Sequence, residues 1–430
     1  MSNDLPRQFT YPFCYTPHPL TVEAASALIL RIDADDALRS TFGEGKMMGV
    51  LLVRDGEGTR PLYGFSGLAA GRSTVEGFVP PIFDYTAPDG YFRMEEAAIS
   101  ATEDKVERRE RSRSLQKWLF DNYVVLNARG ERRSVSDIFA DRGLVPPGGT
   151  GDCAAPKLLQ YAYLHSLQPV AMGEFWYGAS PVSEVRQSGS FYPSCLGKCG
   201  PLLEFMLQGL DVEQNPLERD LMVYEPRVVY QDDDIVVVDK PSGMLSVPGK
   251  ADRKSLQEWL SDRYGREAHS CHRLDMDTSG LMVYAFSLQA KVALEGQFAR
   301  REVSKAYTAR LTAGKGKSIP QSGTISLPLA LDYYDRPRQM VDFAGGKPAV
   351  TDFELLQMLP DGGAIVRLVP HTGRTHQLRV HCAHPLGLAH PIKGDRLYGD
   401  CCGGELCLRA TSLSFAHPAD GRKMNFDTSL

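Results

Sequence analysis

Two short runs concentrate the side chains able to do chemistry. His272-Arg273-Leu274-Asp275-Met276-Asp277-Thr278-Ser279-Gly280 places two carboxylates, a guanidinium and an imidazole directly ahead of the apolar run Leu281 to Phe286. His371-Thr372-Gly373-Arg374-Thr375-His376-Gln377-Leu378-Arg379-Val380-His381 adds two guanidiniums and three imidazoles behind another, Ala364 to Pro370. Loops beside strands are where catalytic groups commonly sit. A carboxylate next to an arginine has its charged form stabilised and its pKa lowered, so it stays ionised at neutral pH and can attack carbon. On residue types alone, Asp275 serves equally well as such a nucleophile or as half of a structural ion pair.

Other chemistries compete for these residues. His371, His376, His381 and His384 fall within fourteen residues and suggest a metal. No HExxH occurs, however, and in an extended strand His376 and His381 would point to opposite faces because their separation is odd. No metal site is therefore expected there. In the first half, Cys195 and Cys199 are spaced CxxxC, and Cys153 with His165 could complete four zinc ligands. Cys153 could also act as a nucleophile with His165 as its base. Two clean CxxC pairs are missing, so buried thiols in an aromatic core are the expected reading. Neither a G-x-G-x-x-G nor a phosphate-binding G-x-x-x-x-G-K-S/T run is present, which leaves nucleotide cofactors without support.

The elements around these runs change character along the chain. Leu20 to Asp36 has helical spacing with Thr21 as the expected N-cap. Lys46 to Arg54 and Arg60 to Phe65 flank a turn-forming Asp55-Gly56-Glu57-Gly58 and predict a hairpin. Glu95 to Phe120 reads as helical, its middle too charged for a core and suited to one long exposed helix or a short coiled coil. An acidic stretch with two prolines, Asp211 to Pro226, is the expected linker, dividing the chain into an accessory region (1–215) and a catalytic domain (216–430). Beyond it come short β runs at 235–240, 281–286, 306–311 and 364–370, with helices expected at 255–264 and 288–300. That rhythm predicts an α+β domain with a mainly antiparallel or mixed sheet, preceded by a mixed α/β region.

Composition excludes several classes. The chain has 430 residues, 43% of them apolar and 23% charged, enough for a sizeable core. Nine cysteines do not suggest a disulfide scaffold, and neither a basic-then-apolar leader nor a membrane-length apolar run is present, so the expected compartment is the cytoplasm. The net charge is −5, divided as −7 over residues 1–220 and +2 over 221–430. Lys291, Arg300, Arg301, Lys305, Arg310, Lys315 and Lys317 against Glu295 and Glu302 form a local anion-binding candidate, or else a solvated helix end.

HRLDMDTSG is preceded by DKPSGMLSVPG and followed in order by SKAYTARL, GKPAVTDFELL, PHTGRTHQLRVH and HPIKGDRLYGD. Over about residues 227–425 this succession resembles the RluA-type pseudouridine synthases. The resemblance implies the pseudouridine synthase fold and isomerisation of uridine to pseudouridine in structured RNA, without metal or cofactor. The RNA would be 23S-type ribosomal RNA, a tRNA stem-loop, or both. It makes Asp275 the catalytic carboxylate, Arg379 its ion-pair partner, Tyr307 the ring packed on the target base and a candidate proton acceptor, and Arg273 an RNA contact. Lys240, Lys305 and Arg374 match motif positions and are assigned to substrate binding. Asp277 matches a position at which the family pattern does not specify an acid, and is expected to be solvated or structural. Two alternatives stand beside this reading. One is a catalytically silent RNA-binding or ribosome-assembly factor; the other is a bifunctional enzyme with a second thiol or zinc activity in the N-terminal region.

Overall fold

The computed structural model describes every residue except 1–4, 57, 88, 216–224, 250–252, 315–317, 334, 400–403 and 430. Lys315, Lys317 and most of the expected linker thus lie outside the described residues. The chain forms two compact units. One comprises residues up to 181 with 186–215 and 332–337, and the other comprises 182–185, 216–331 and 338–430.

The first unit is built on an antiparallel sheet of β1 (Lys46–Asp55), β2 (Gly58–Phe65), β5 (Gln168–Tyr177) and β6 (Phe191–Tyr192), in the order β2-β1-β5-β6. A small hairpin, β3 (Val124–Leu126) and β4 (Arg132–Ser134), stands apart. Six consecutive residues of β1 are buried because α1 (Pro19–Ala34) and α6 (Ala154–Leu164) both pack on the sheet. Gly49 makes the approach of α6 possible, since a Cβ there would fall 2.7 Å from that of Ala154. Helix α1 starts earlier than its spacing predicts. His18 is the N-cap, its Nδ1 accepting from Leu20 N (3.3 Å), and Pro19 has no N–H to satisfy, while Thr21 is buried inside the helix. The helix stops where Asp35 turns to cap α2 (Asp36–Phe42).

The long charged helix is in fact two, α3 (Tyr91–Ala101) and α4 (Lys105–Asn122). Asp104 competes successfully with helix continuation by accepting from Val106 N (2.6 Å) and Glu107 N (3.2 Å). Tyr91 then packs on Trp118, ring centroids 4.6 Å apart. After α4 come α5 (Val135–Ala140), α6 and α7 (Leu196–Met206).

In the second unit the strands are β7 (Arg227–Gln231), β8 (Ile235–Lys240), β9 (His269–Ser270), β10 (Ser279–Ala285), β11 (Ser304–Leu311), β12 (Ser322–Ser326), β13 (Leu329–Leu331), β14 (Gln339–Val341), β15 (Val350–Met358), β16 (Ala364–Pro370), β17 (Leu408–Ala416) and β18 (Lys423–Asp427). Its helices are α8 (Leu256–Tyr264), α9 (Leu288–Ala299) and α10 (Gln377–Ala383). The main sheet runs β12-β15-β16-β11-β17-β10-β8-β7, with β18 on β17 and β9 on β10. It is antiparallel except for the β10–β17 pair, so the fold is α+β with a mixed sheet. Gly280 permits the parallel contact: at φ 112° its missing Cβ would lie 2.3 Å from Ala410 O. Ser255 and Glu258 close a capping box on α8. Val182–Val185, distant in sequence, belongs to this unit; Ser183 O accepts from Val341 N (2.9 Å) and Val185 joins the core. Among the described residues, no helix is long and apolar enough to cross a membrane.

Candidate active site

Asp275 sits in the loop between β9 and β10, and the run from Asp239 to Gly249 holds that loop from beneath. Lys240 Nζ donates to Met276 O (2.8 Å), Met244 O (2.7 Å) and Pro241 O (2.9 Å). Ser242 Oγ donates to Asp277 O (2.7 Å), Ser246 Oγ to Leu274 O (2.8 Å), and Gly243 N to Met276 O (2.9 Å). Every residue from Leu274 to Asp277 is therefore tied through its backbone: Asp275 O is the remaining acceptor and takes Thr278 N (3.0 Å). Lys240 is consequently not a substrate ligand. It is fully buried with all three donors spent on carbonyls, and burial lowers its pKa to about 7 against the pull of Asp277 and Asp275.

Arg379 enters from α10, and the structure corrects two expectations about it. The PHTGRTHQLRVH run is not an extended strand beyond His376. Gln377 Oε1 accepts from Thr372 Oγ1 (2.7 Å) and Arg374 N (3.1 Å), His376 takes a left-handed φ of 53°, and a buried helix follows. Arg379 also does not bond Asp275 directly. Its Nε and Nη2 donate to the two oxygens of Asp395 (2.8 and 2.6 Å), with both side chains out of water. Asp395 in turn accepts from Leu397 N (3.0 Å) and Tyr398 N (3.1 Å). Arg379 acts on Asp275 by charge alone.

That changes the ionisation of Asp275. Burial pushes its carboxyl up, the Arg379 charge pulls it down, and Asp277 and Asp395 add to the upward push. The net direction is above the ordinary carboxylate range, opposite to the expectation from an adjacent arginine. Desolvation of this partly buried carboxylate outweighs an arginine already neutralised by Asp395.

Tyr307 lies on β11 with 8% of its surface exposed, and its hydroxyl has no hydrogen-bond partner among the described residues. Burial, and then the Asp275 charge, push the phenol above its ordinary range, so it enters any reaction protonated and is ill suited as a resting proton acceptor. Arg273 is exposed and lines a surface cavity with His272, His269, Gln257 and Lys291. Lys305 is half-buried, its Nζ 5.9 Å from the Phe298 ring. Arg374 is exposed, with Nε bonded to Pro348 O (3.1 Å). The basic run is partly spent, since Lys291 pairs with Glu295, Arg300 with Glu302 and Arg310 with Asp361.

The histidines are scattered among separate structural roles. His272 Nε2 accepts from Val283 N (3.1 Å) and its ring stacks on Phe298. His371 bonds Asp352, His376 bonds the Tyr398 hydroxyl, His381 bonds Thr351 Oγ1, and His384 bonds a backbone carbonyl. The full thiol and imidazole set is not assembled either: Cys153 is at one end of α6 and His165 at the other, roughly 18 Å away at 1.5 Å per residue. A hydrogen bond with Cys199, together with burial, pushes the Cys153 thiol well above its ordinary range, which disfavours the nucleophilic thiolate. Asp232, Asp234 and His417 do converge, their ligand atoms within 4.8 Å, but Arg422 stands 3.6 Å from Asp232 and already supplies positive charge.

Residue patterns missed two members of the site. Asp395 and Arg396 fall inside the run HPIKGDRLYGD, but adjacent opposite charges in a loop give no hint of their partners. Asp395 binds Arg379, and Arg396 Nη2 contacts both oxygens of Asp277 (2.9 and 2.8 Å).

Residues 234–384 match the family of RNA pseudouridylate synthases. The dual-specificity RNA pseudouridine synthase RluA of Haemophilus ducreyi is 43% identical over 206 residues, 46% of this chain and 91% of that protein. Its namesake in Escherichia coli K12 is 44% identical over 205 residues, 46% of this chain and 90% of that protein. The human RNA pseudouridylate synthase domain containing 1 structure is 29% identical, covering 51% of this chain and 86% of that one, with a TM-score of 0.41. The chain belongs to the RNA pseudouridylate synthase family. It is an enzyme, an isomerase that makes pseudouridine in RNA.

Proposed function

We propose that Asp275 is the reacting carboxylate and that the RNA is a structured ribosomal or transfer RNA stem-loop, modified in the cytoplasm. The observation that supports this most directly is the fixation of the Asp275 loop. A side chain clamped through four consecutive backbone positions, facing an arginine whose own charge is balanced, is prepared to act as a single carboxylate. Glycoside hydrolysis ordinarily needs two carboxyl groups, one of them serving water. Isomerisation needs water kept out.

The atoms balance without a co-reactant. The N1–C1′ bond of uridine breaks, a C5–C1′ bond forms, the C5 proton leaves and N1 acquires one. Asp275 attacks either C1′ of the ribose or C6 of the ring, and either adduct holds a fragment while the base turns. The uridine must first leave its stack, at a cost of a few kcal/mol. Stacking on the Tyr307 ring offsets about 1 to 3 kcal/mol of this, and Arg273, Lys305 and Arg374 supply phosphate contacts. The second domain, on this reading, is the catalytic one, and the first an accessory to RNA selection.

Asp275→Asn tests the assignment, because an amide keeps the shape but is a poor nucleophile. Release of C5 tritium from labelled stem-loop RNA should vanish while RNA affinity stays within a few fold. Turnover near the wild-type rate would reject Asp275.

A further inference from the structure

Asp395 and Arg396 are consecutive residues of one loop, and each binds an opposite charge from a different element. Asp395 holds Arg379 of α10, and Arg396 holds Asp277, two residues beyond Asp275. The second pair is only partly shielded, at 25% and 17% side-chain exposure. The backbone of Asp277 is already fixed by Ser242, so its carboxylate is free to respond to Arg396.

The charged and titratable groups facing Asp275 are Arg379 from α10, Asp277 on its own loop, Asp395 behind Arg379, Lys240 at the end of β8, and Tyr307 of β11. Arg379 is balanced by Asp395, and Asp277 is paired directly with Arg396 while Lys240 acts on it by charge. Without Arg396, a second negative charge would stand beside the reacting carboxylate.

We propose that Arg396 is a positioning residue of the isomerase: through Asp277 it pins the end of the Asp275 loop and cancels the negative charge nearest the reacting carboxylate. The inference rests on Asp275 being that carboxylate.

The test is the pH profile of kcat/KM on one stem-loop RNA for wild type, Arg396→Gln, Asp277→Asn and the double variant. An essential ionised Asp275 makes the rate fall as pH drops through its pKa. Arg396→Gln leaves Asp277 uncompensated, which disfavours ionised Asp275 and should move the acidic limb up by about one pH unit. Asp277→Asn leaves Arg396 uncompensated and should move it down, and the double variant should return it toward the wild-type position. If both single variants lower the rate equally at every pH, the pair is merely structural and the proposal is overturned. Should Arg396→Gln not fold, Arg396→Lys retains the charge and must leave the limb in place; a shifted limb there overturns the proposal as well. Full wild-type turnover in Asp275→Asn would instead defeat the assignment of Asp275, which separates the two failures.

Discussion

Arg379 and Asp395 in the second unit are 2% and 0% exposed and satisfy each other through two hydrogen bonds. In the first unit Lys105, Arg109 and Arg113 stand in water on α4, with no ion pair among the described residues. Arg379 and these three residues are all cations in a protein that acts on RNA, and charge counting treats them alike. Their surroundings assign them opposite work. A buried guanidinium with a dedicated carboxylate shapes the field at one point and is costly to disturb. Exposed cations on a helix contribute through number and spacing, and each is individually cheap to lose.

Replacing Asp395 with alanine should produce the largest effect. It strands the Arg379 charge in the interior and frees Leu397 N and Tyr398 N, so stability should fall by about 3–5 kcal/mol in a denaturant titration. Removing an exposed partner in the first unit, Asp141 of the Arg133 pair, should leave the midpoint essentially unmoved. Comparable losses at the two places would erase the distinction between the units.

An intermediate effect is expected at Lys240, which looks like a phosphate ligand by residue type and behaves as a backbone clamp by position. Lys240→Met keeps the length of the stem and abandons three carbonyls. Unsatisfied buried acceptors cost about 1–3 kcal/mol, and the Asp275 loop should loosen with them. Turnover should fall with little change in RNA affinity. A drop in affinity at constant kcat would restore Lys240 to the substrate.

The contrast also explains what residue patterns conveyed. Strands and helices of the second unit followed from short apolar β runs and from the helical stretch at 255–264, which the structure closes with a Ser255 and Glu258 capping box, so that the determinants are a few residues apart. Asp275 could be singled out as the candidate because its motif is contiguous. The partner of Arg379 was not legible, since Asp395 comes sixteen residues later in a turn of ordinary composition and only the fold brings them together. The sign of the Asp275 shift was misjudged for the same reason: burial is a property of the assembled site, and it outweighs the adjacent charge. At α3 and α4 the error was local, because Asp104 could either continue a charged helix or cap the next one. Val182–Val185 shows the limit of contiguous reasoning, for a fragment starting near residue 221 would lack a piece of the second unit's own core.

The smallest effect, and the sharpest test of the comparison, concerns α4. Lys105, Arg109 and Arg113 recur every four residues, so they share one face of the helix. Lys117 continues that line but is paired with Asp121, and Arg111, off the line, is engaged with Glu95 and Glu107. Three unengaged cations about 6 Å apart along a helix match the spacing of a phosphate backbone and can bind it without reading sequence. Neutralising all three to glutamine should leave kcat at saturating RNA unchanged, since none belongs to the isomerase site. Affinity for a long structured RNA should weaken, and the slope of log affinity against log salt should fall by about 2 to 3, one counterion per lost contact. A minimal stem-loop that binds the catalytic unit alone should show neither change. Equal salt slopes for wild type and the triple variant on the long RNA would remove α4 from RNA recognition and leave its charged face a solvated surface.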